Sequence, residues 1–202
     1  TGTPDNVSNP RYLEFAAYFM QAGYDVTTFN SSNISDKEHQ EELFLRRQYG
    51  QFKFVHVKSP NYTGNGLKRM MSIWAFAWRM FVHRHKFEKP DIVLHNVHTP
   101  FDYPISWMSK LLKALYIVEA WDMWPDNDVT FGLLSASNPV MKLAYKMEYC
   151  LYRKADRVVF TLEGGVDYQK NKGWTTDTGG KIDLSKVHYI NNGVNLEKFD
   201  ND

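Results

Sequence analysis

Three short apolar runs constrain this chain more than any other feature. They are DIVLHN (91–96), LYIVEA (115–120) and RVVFTL (157–162). Each is too short for a buried helix, is rich in β-branched residues and ends in polar or acidic side chains, so each reads as a strand. Helical patterns lie between them, over residues 104–113 and 138–154. Asn138 caps the second of these, and Pro139 takes its first position. Parallel strands need a long crossover, and a helix is the usual one. The pattern predicts an α/β chain with a Rossmann-like, doubly wound parallel sheet and helices on both faces.

The flanking segments extend this reading. Residues 11–21 place Leu13, Ala16, Ala17 and Met20 at helical spacing, and Gly23 ends the run. Residues 24–29 alternate as a strand. A helix followed by a strand is half of a βαβ unit, so the pattern expects a first strand ahead of Thr1, missing from these residues. Residues 36–48 are predicted as a polar helix with Leu43 and Phe44 on its thin apolar side. FKFVHV (52–57) alternates as a strand, residues 164–172 form a short helix, and 187–190 form the last strand. The whole, 1–202, reads as one domain.

Charge narrows the function. Lys plus Arg is 24 and Asp plus Glu is 23, a net charge of +1, which lacks the basic excess of a nucleic-acid-binding domain. The single cysteine, Cys150, sits in an apolar helical pattern and reads as a buried thiol. No apolar stretch is long enough to cross a bilayer.

In open α/β sheets, ligands bind at the carboxyl ends of the strands. Polar residues gather there: His95, Asn96 and His98 after the first run, Glu119 and Asp122 after the second, Glu163 with Gly164-Gly165 after the third, and Asn191, Asn192 and Gly193 after the last strand. Each has a plainer alternative. His95 could be a hydrogen-bonded core histidine, Glu163 a helix cap, and Asp122 a cap or ion pair that orders its loop. An acid that ends an apolar strand needs a partner, which favours Glu119, and Asp122 is flanked by Trp121 and Trp124. Asp126 and Asp128 read as loop or cap residues, and Trp124-Pro125 as a turn that aims Asp122. His and acid spacings match no zinc pattern, so no metal is expected.

Residues 67–87 (LKRMMSIWAFAWRMFVHRHKF) are apolar almost all round a helix. Such a helix is buried, or it dips an apolar face into a bilayer while basic residues meet lipid phosphates. The second option makes Trp74, Trp78, Phe81, Arg79 and Arg84 the membrane-contact residues.

NPRYLEFAAYFMQAGYDVTTFNSS, SPNYTGNGLKRMMSIWAFAWRM, VEAWDMWPDNDVTFGLL, MEYCLYRKADRVVFTLEGG and YINNGVNLEKF occur in order along nearly the whole chain. Together they resemble the N-terminal, acceptor-side domain of bacterial family 4 glycosyltransferases of the GT-B fold, in the branch that builds capsular, O-antigen and other lipopolysaccharide or exopolysaccharide repeats. The family's E-x-x-D-x-W-P segment appears as Glu119, Asp122, Trp124 and Pro125. Its N-G-V-(D/N) segment appears as Asn192, Gly193, Val194 and Asn195, although Asn191 stands where proline is common.

The resemblance implies a retaining transferase that moves a sugar from a nucleotide-sugar donor to a sugar acceptor, often lipid-linked, without a metal or resident cofactor. It makes Asp122, Glu119 and His98 the catalytic candidates. Asn65, Gly66, Arg69, His95, Glu163, Asn192 and Gly193 become candidates for substrate contact. It implies a cytoplasmic protein, peripheral at an anionic inner-membrane surface. It also places a donor domain beyond this one, so residues 1–202 alone are expected to be inactive. Two other readings compete: another GT-B sugar enzyme such as a nucleotide-sugar 2-epimerase, and a non-catalytic carbohydrate-binding module.

Overall fold

A computed structural model of the chain describes residues 11–32, 41–64, 66–97, 99–132 and 134–193. The chain forms two compact units, residues 1–79 with 193–202, and residues 80–192.

In the first unit, helix α1 (Arg11–Gln21) precedes strand β1 (Thr27–Ser31), strand β2 (Phe44–Tyr49) and strand β3 (Phe52–Val57). The sheet order is β1-β3-β2. β1 runs parallel to β3, with Asn30 opposite His56, and β2 runs antiparallel to β3. As the central strand, β3 buries Phe54, Val55, His56 and Val57. A buried histidine must fill its ring nitrogens. Asn30 Oδ1 lies 2.5 Å from His56 Nδ1, and the Tyr49 hydroxyl lies 3.1 Å from Nε2.

One expectation is corrected here. The predicted helix over 36–48 is a strand over Phe44–Tyr49; residues 36–40 lie outside the described residues. The three-stranded sheet is therefore mixed, with β2 antiparallel to β3. Both features come from Gly50. Its φ of +56° supplies the left-handed turn conformation that a two-residue hairpin loop needs. Arg46, Arg47 and Gln48 are exposed on this edge strand. Charged side chains on an edge strand look in sequence like the polar face of a helix.

Helix α2 (Leu67–Val82) follows, then a 3-10 turn over Arg84–Lys86. The predicted helix over 67–87 is therefore shorter.

The second unit holds strand β4 (Ile92–Val97), helix α3 (Pro104–Leu112), strand β5 (Leu115–Ala120), helix α4 (Asp126–Thr130), helix α5 (Pro139–Lys154), strand β6 (Arg157–Phe160), helix α6 (Gly165–Asn171) and strand β7 (Val187–Tyr189). Its four strands are all parallel and lie in chain order, β4-β5-β6-β7. This is the helix-flanked parallel sheet that the apolar runs predict. Val118, Ala144, Leu151, Val158 and Phe160 form the middle of its core.

Helix α5 is closed at both ends as its sequence directs. The Asn138 side chain accepts a hydrogen bond from Val140 N at 2.8 Å. At the other end Lys186 Nζ donates to the carbonyls of Arg153 and Ala155, at 2.8 and 2.7 Å. A cation there also favours the negative end of the helix dipole. Gly165 is needed for packing: a Cβ at that position would stand 2.2 Å from Cγ of Phe160, so only glycine lets α6 begin so close to β6.

Candidate functional site at the end of β5

Register decides which strand-end residues meet. Asn96 on β4 is the partner of Glu119 on β5, and His95 is the partner of Val118. Successive side chains of a strand point to opposite faces. Asn96 and Glu119 therefore share one face, while His95 shares the other with Tyr116.

On the first face Glu119 is buried at 3% exposure. Its Oε2 accepts from Asn96 Nδ2 at 3.3 Å and from the Trp121 indole N–H at 2.7 Å. The neighbouring Asn96 Oδ1 is buried and accepts no hydrogen bond from the described residues. Thr161, just past β6, donates its hydroxyl to the Trp121 carbonyl at 3.4 Å. The chain is thus tied down where it leaves β5.

Asp122 comes next and is exposed, and no hydrogen bond or ion pair joins it to another described residue. Trp124 turns back against Phe101, with ring centroids 6.0 Å apart at 66°, and Pro125 is buried. The loop is then tied down a second time. Asp126 Oδ1 accepts from Lys172 Nζ at 2.6 Å and from the Tyr145 hydroxyl at 2.7 Å. Burial alone would raise the Asp126 pKa, but hydrogen bonds from Lys172 and Tyr145 outweigh it and hold the carboxyl below its ordinary value. Asp122 is therefore an open carboxylate on a short loop anchored at both ends.

The other face is closed. His95 Nε2 lies 3.1 Å from Asp102 Oδ2, and its Nδ1 lies 2.8 Å from the Tyr116 hydroxyl. All three are buried. Both ring nitrogens are engaged by buried partners, the arrangement of a hydrogen-bonded core histidine. Burial, with the nearby Asp102 charge, pushes the Tyr116 hydroxyl well above its ordinary pKa.

Glu163 and Gly164 are exposed beyond β6, and Asn192 and Gly193 are exposed beyond β7. In the first unit, the Gly66 carbonyl accepts Arg69 N at 3.0 Å and starts α2, where Arg69 is half-buried. His98 and Asn65 lie outside the described residues.

Helix α2 presents two apolar faces. Ser72, Ala77 and Met80 are buried. Opposite them Leu67, Met71, Trp74 and Trp78 are exposed by 76%, 64%, 39% and 42%. At 100° per residue these four fall within about 60° of one another. The two indoles stack, with centroids 6.0 Å apart at 11°. The other proposed membrane contacts are tied to the protein. Arg79 donates to the Lys58 carbonyl, Arg84 donates to the Phe81 carbonyl at 2.9 Å, and Phe81 packs edge-on against Trp107.

Tyr145 and Lys172 are parts of this site that the sequence did not point to, and Asn96 and Trp121 were visible at the strand ends without a role. For Asn96 a signal was available, since aligning the two apolar runs as parallel neighbours sets it beside Glu119. Lys172 and Tyr145 offered none, because their partner lies far away in sequence. Among the described residues no group of three His, Cys, Asp or Glu side chains could hold a metal ion, and no helix is long and apolar enough to cross a membrane.

A parallel α/β unit with an open acid where a strand runs out belongs to the class that binds ligands at a sheet's carboxyl edge. The sequence profile of Glycosyltransferase Family 4 matches residues 11–198, and the chain belongs to that family. No curated protein matches the chain.

Proposed function

We propose that this chain is the acceptor-side domain of a retaining glycosyltransferase that acts on lipid-linked polysaccharide precursors of the capsular or O-antigen type. Asp122 accepts a hydrogen bond from the acceptor hydroxyl and holds it for attack on the anomeric carbon of a nucleotide sugar. Glu119 acts from behind, through Trp121 and Asn96, and His98 is the third candidate. The nucleotide sugar is a substrate, bound mainly by a second domain, and no resident cofactor or metal takes part.

The observation that carries this reading is the exposed Asp122 on a loop fixed at Trp121 and at Asp126. A carboxylate that only ordered the loop would be engaged within it. Support for a membrane-side acceptor comes from the exposed apolar stripe of α2. Patches of this kind mark interaction surfaces, and indoles favour the bilayer interface. This makes the protein peripheral at the cytoplasmic face of an anionic inner membrane.

The test uses the full-length protein with labelled nucleotide sugars and a membrane lipid extract. Asp122→Asn is expected to lower transfer by about a hundredfold, a loss of roughly 2.7 kcal/mol in transition-state stabilisation, with the far-UV circular dichroism unchanged. Undiminished transfer by that variant would remove Asp122 from the chemistry.

A further inference from the structure

We propose that the buried Glu148, acting through Lys172 and Asp126, is a proton-controlled latch on the loop that carries Asp122. The inference rests on reading that loop as the acceptor site, but the latch itself is an equilibrium of the protein without substrate.

Glu148 lies on α5 with 1% exposure, and it is engaged in neither the strand-end site nor an ion pair. Its two oxygens accept from two tyrosines: Oε1 from Tyr152 at 3.0 Å and Oε2 from Tyr168 on α6 at 2.8 Å. The ring of Tyr168 is the link outward. Lys172 Nζ sits 5.4 Å from that ring's centroid and 4.3 Å from the centroid of Tyr145. The same ammonium is the 2.6 Å donor to Asp126. One cation therefore faces an engaged carboxylate at the end of the loop and, across one aromatic ring, a buried carboxyl.

The charge on Glu148 decides how that cation is shared. Burial raises the Glu148 pKa to about 8; the Tyr168 and Tyr152 hydrogen bonds and the Lys172 charge pull it down, and the Asp126 charge pushes it up. While Glu148 is protonated, Lys172 answers to Asp126 alone. When Glu148 gives its proton to solvent, a second carboxylate draws on Lys172 and repels Asp126. Both effects weaken the anchor at Asp126 and leave the loop held mainly at Trp121. The other groups facing this cluster are Tyr145 and, beyond Tyr152, Asp102 on the 3-10 turn Pro100–Asp102, which packs on α5. Burial raises the pKa of Tyr145 and Tyr152 further above their ordinary value, so neither ionises before Glu148. Asp126 stays ionised throughout.

Lys172, Tyr145 and Glu148 are positioning residues in this scheme, because they act on the Asp122 loop through Asp126. Amide hydrogen exchange of the full-length protein reads the latch directly. Segment 121–132 is followed between pH 6.5 and 9.5, with rates corrected for the intrinsic dependence on hydroxide. In the wild type, exchange there is expected to rise about tenfold, the change that roughly 1.4 kcal/mol of lost anchoring gives, with a midpoint near 8, while segment 141–152 stays protected. Glu148→Gln should remove the transition. Lys172→Met should already exchange at the fast rate at pH 6.5, and Lys172→Arg should restore most of the protection. Tyr168→Phe removes a hydrogen bond that favours ionised Glu148, so its midpoint should move to higher pH. This variant keeps the test open if Glu148→Gln does not fold. A wild-type segment that stays flat across the range, a Glu148→Gln transition like that of the wild type, or a Tyr168→Phe midpoint that stays put or falls would each overturn the latch. None of these outcomes depends on transferase activity, so failure of the latch and failure of the proposed function are separable.

Discussion

The end of β5 and the outer face of α2 are both open to solvent, and they signal function in opposite ways. At β5 the informative fact is order around the exposed group. A surface aspartate alone is ordinary, but Asp122 stands between two sets of hydrogen bonds, at Trp121 and at Asp126, that leave it free. On α2 the informative fact is the exposure itself. Two stacked indoles in line with Leu67 and Met71 form an exposed apolar stripe of the kind that marks an interaction surface. The first region rests on a buried polar network, and the second needs none. Conditions that disturb buried polar groups should therefore move one and spare the other.

The largest expected effect comes from that network. The folded-state pKa of Glu148, about 8, lies above its ordinary value of 4.5. The folded protein thus binds this proton more tightly than the unfolded chain does. The associated stability is fully present below about pH 4.5 and is lost as pH rises through 8, at up to roughly 1.4 kcal/mol per pH unit. Denaturant melts of the wild type and Glu148→Gln should therefore draw apart between pH 5 and 8, with the wild type losing ground. Parallel stability curves for the two proteins would mean that Glu148 is ionised in the folded state, and the contrast between the regions would weaken.

A smaller and sharper effect is a crossed pair of substitutions. With a short, water-soluble acceptor, Asp122→Asn should lose about a hundredfold in transfer. On the same acceptor, Trp74→Ala/Trp78→Ala should stay within about twofold, because surface changes remote from the chemistry leave it little altered. A large loss on the soluble acceptor in the double variant would show that α2 serves the reaction and not the docking of lipid.

How much of this was legible in sequence depended on range. The parallel strands β4, β5 and β6 announced themselves through length, β-branched content and polar ends, and α5 through Asn138-Pro139. β2 was misread because Arg46, Arg47 and Gln48 belong equally well on an edge strand or a helix surface, and Gly50 was the only local sign of a hairpin. Helix α2 was visible as apolar all round, but which apolar face would be buried depends on what packs against it. The acids were visible as a group, yet their separation was not. Glu119 turns inward because it is in register with Asn96, whereas Asp122 lies past the strand's last ladder pair. The Glu148, Tyr168, Lys172 and Asp126 chain could not be read at all, since its members meet only after α4, α5 and α6 have packed.

The smallest effect tests the α2 face alone. Trp74 and Trp78 keep 39% and 42% of their surface exposed, so a bilayer would take up only the outer part of each ring. At about 25 cal/mol per Å² of apolar area removed from water, partial burial of two indoles supports a change of roughly tenfold in lipid affinity. In co-sedimentation with vesicles containing anionic lipid, the double alanine variant should therefore bind about tenfold more weakly than the wild type. The loss should persist at high salt, because it comes from apolar area and not from charge. Arg79 and Arg84 already donate to backbone carbonyls. Replacing either with lysine should change vesicle binding less than removing the indoles does. If Arg79→Lys weakens binding more than the double tryptophan variant, the face is read through its phosphate contacts, and the apolar stripe is not what holds the protein at the membrane.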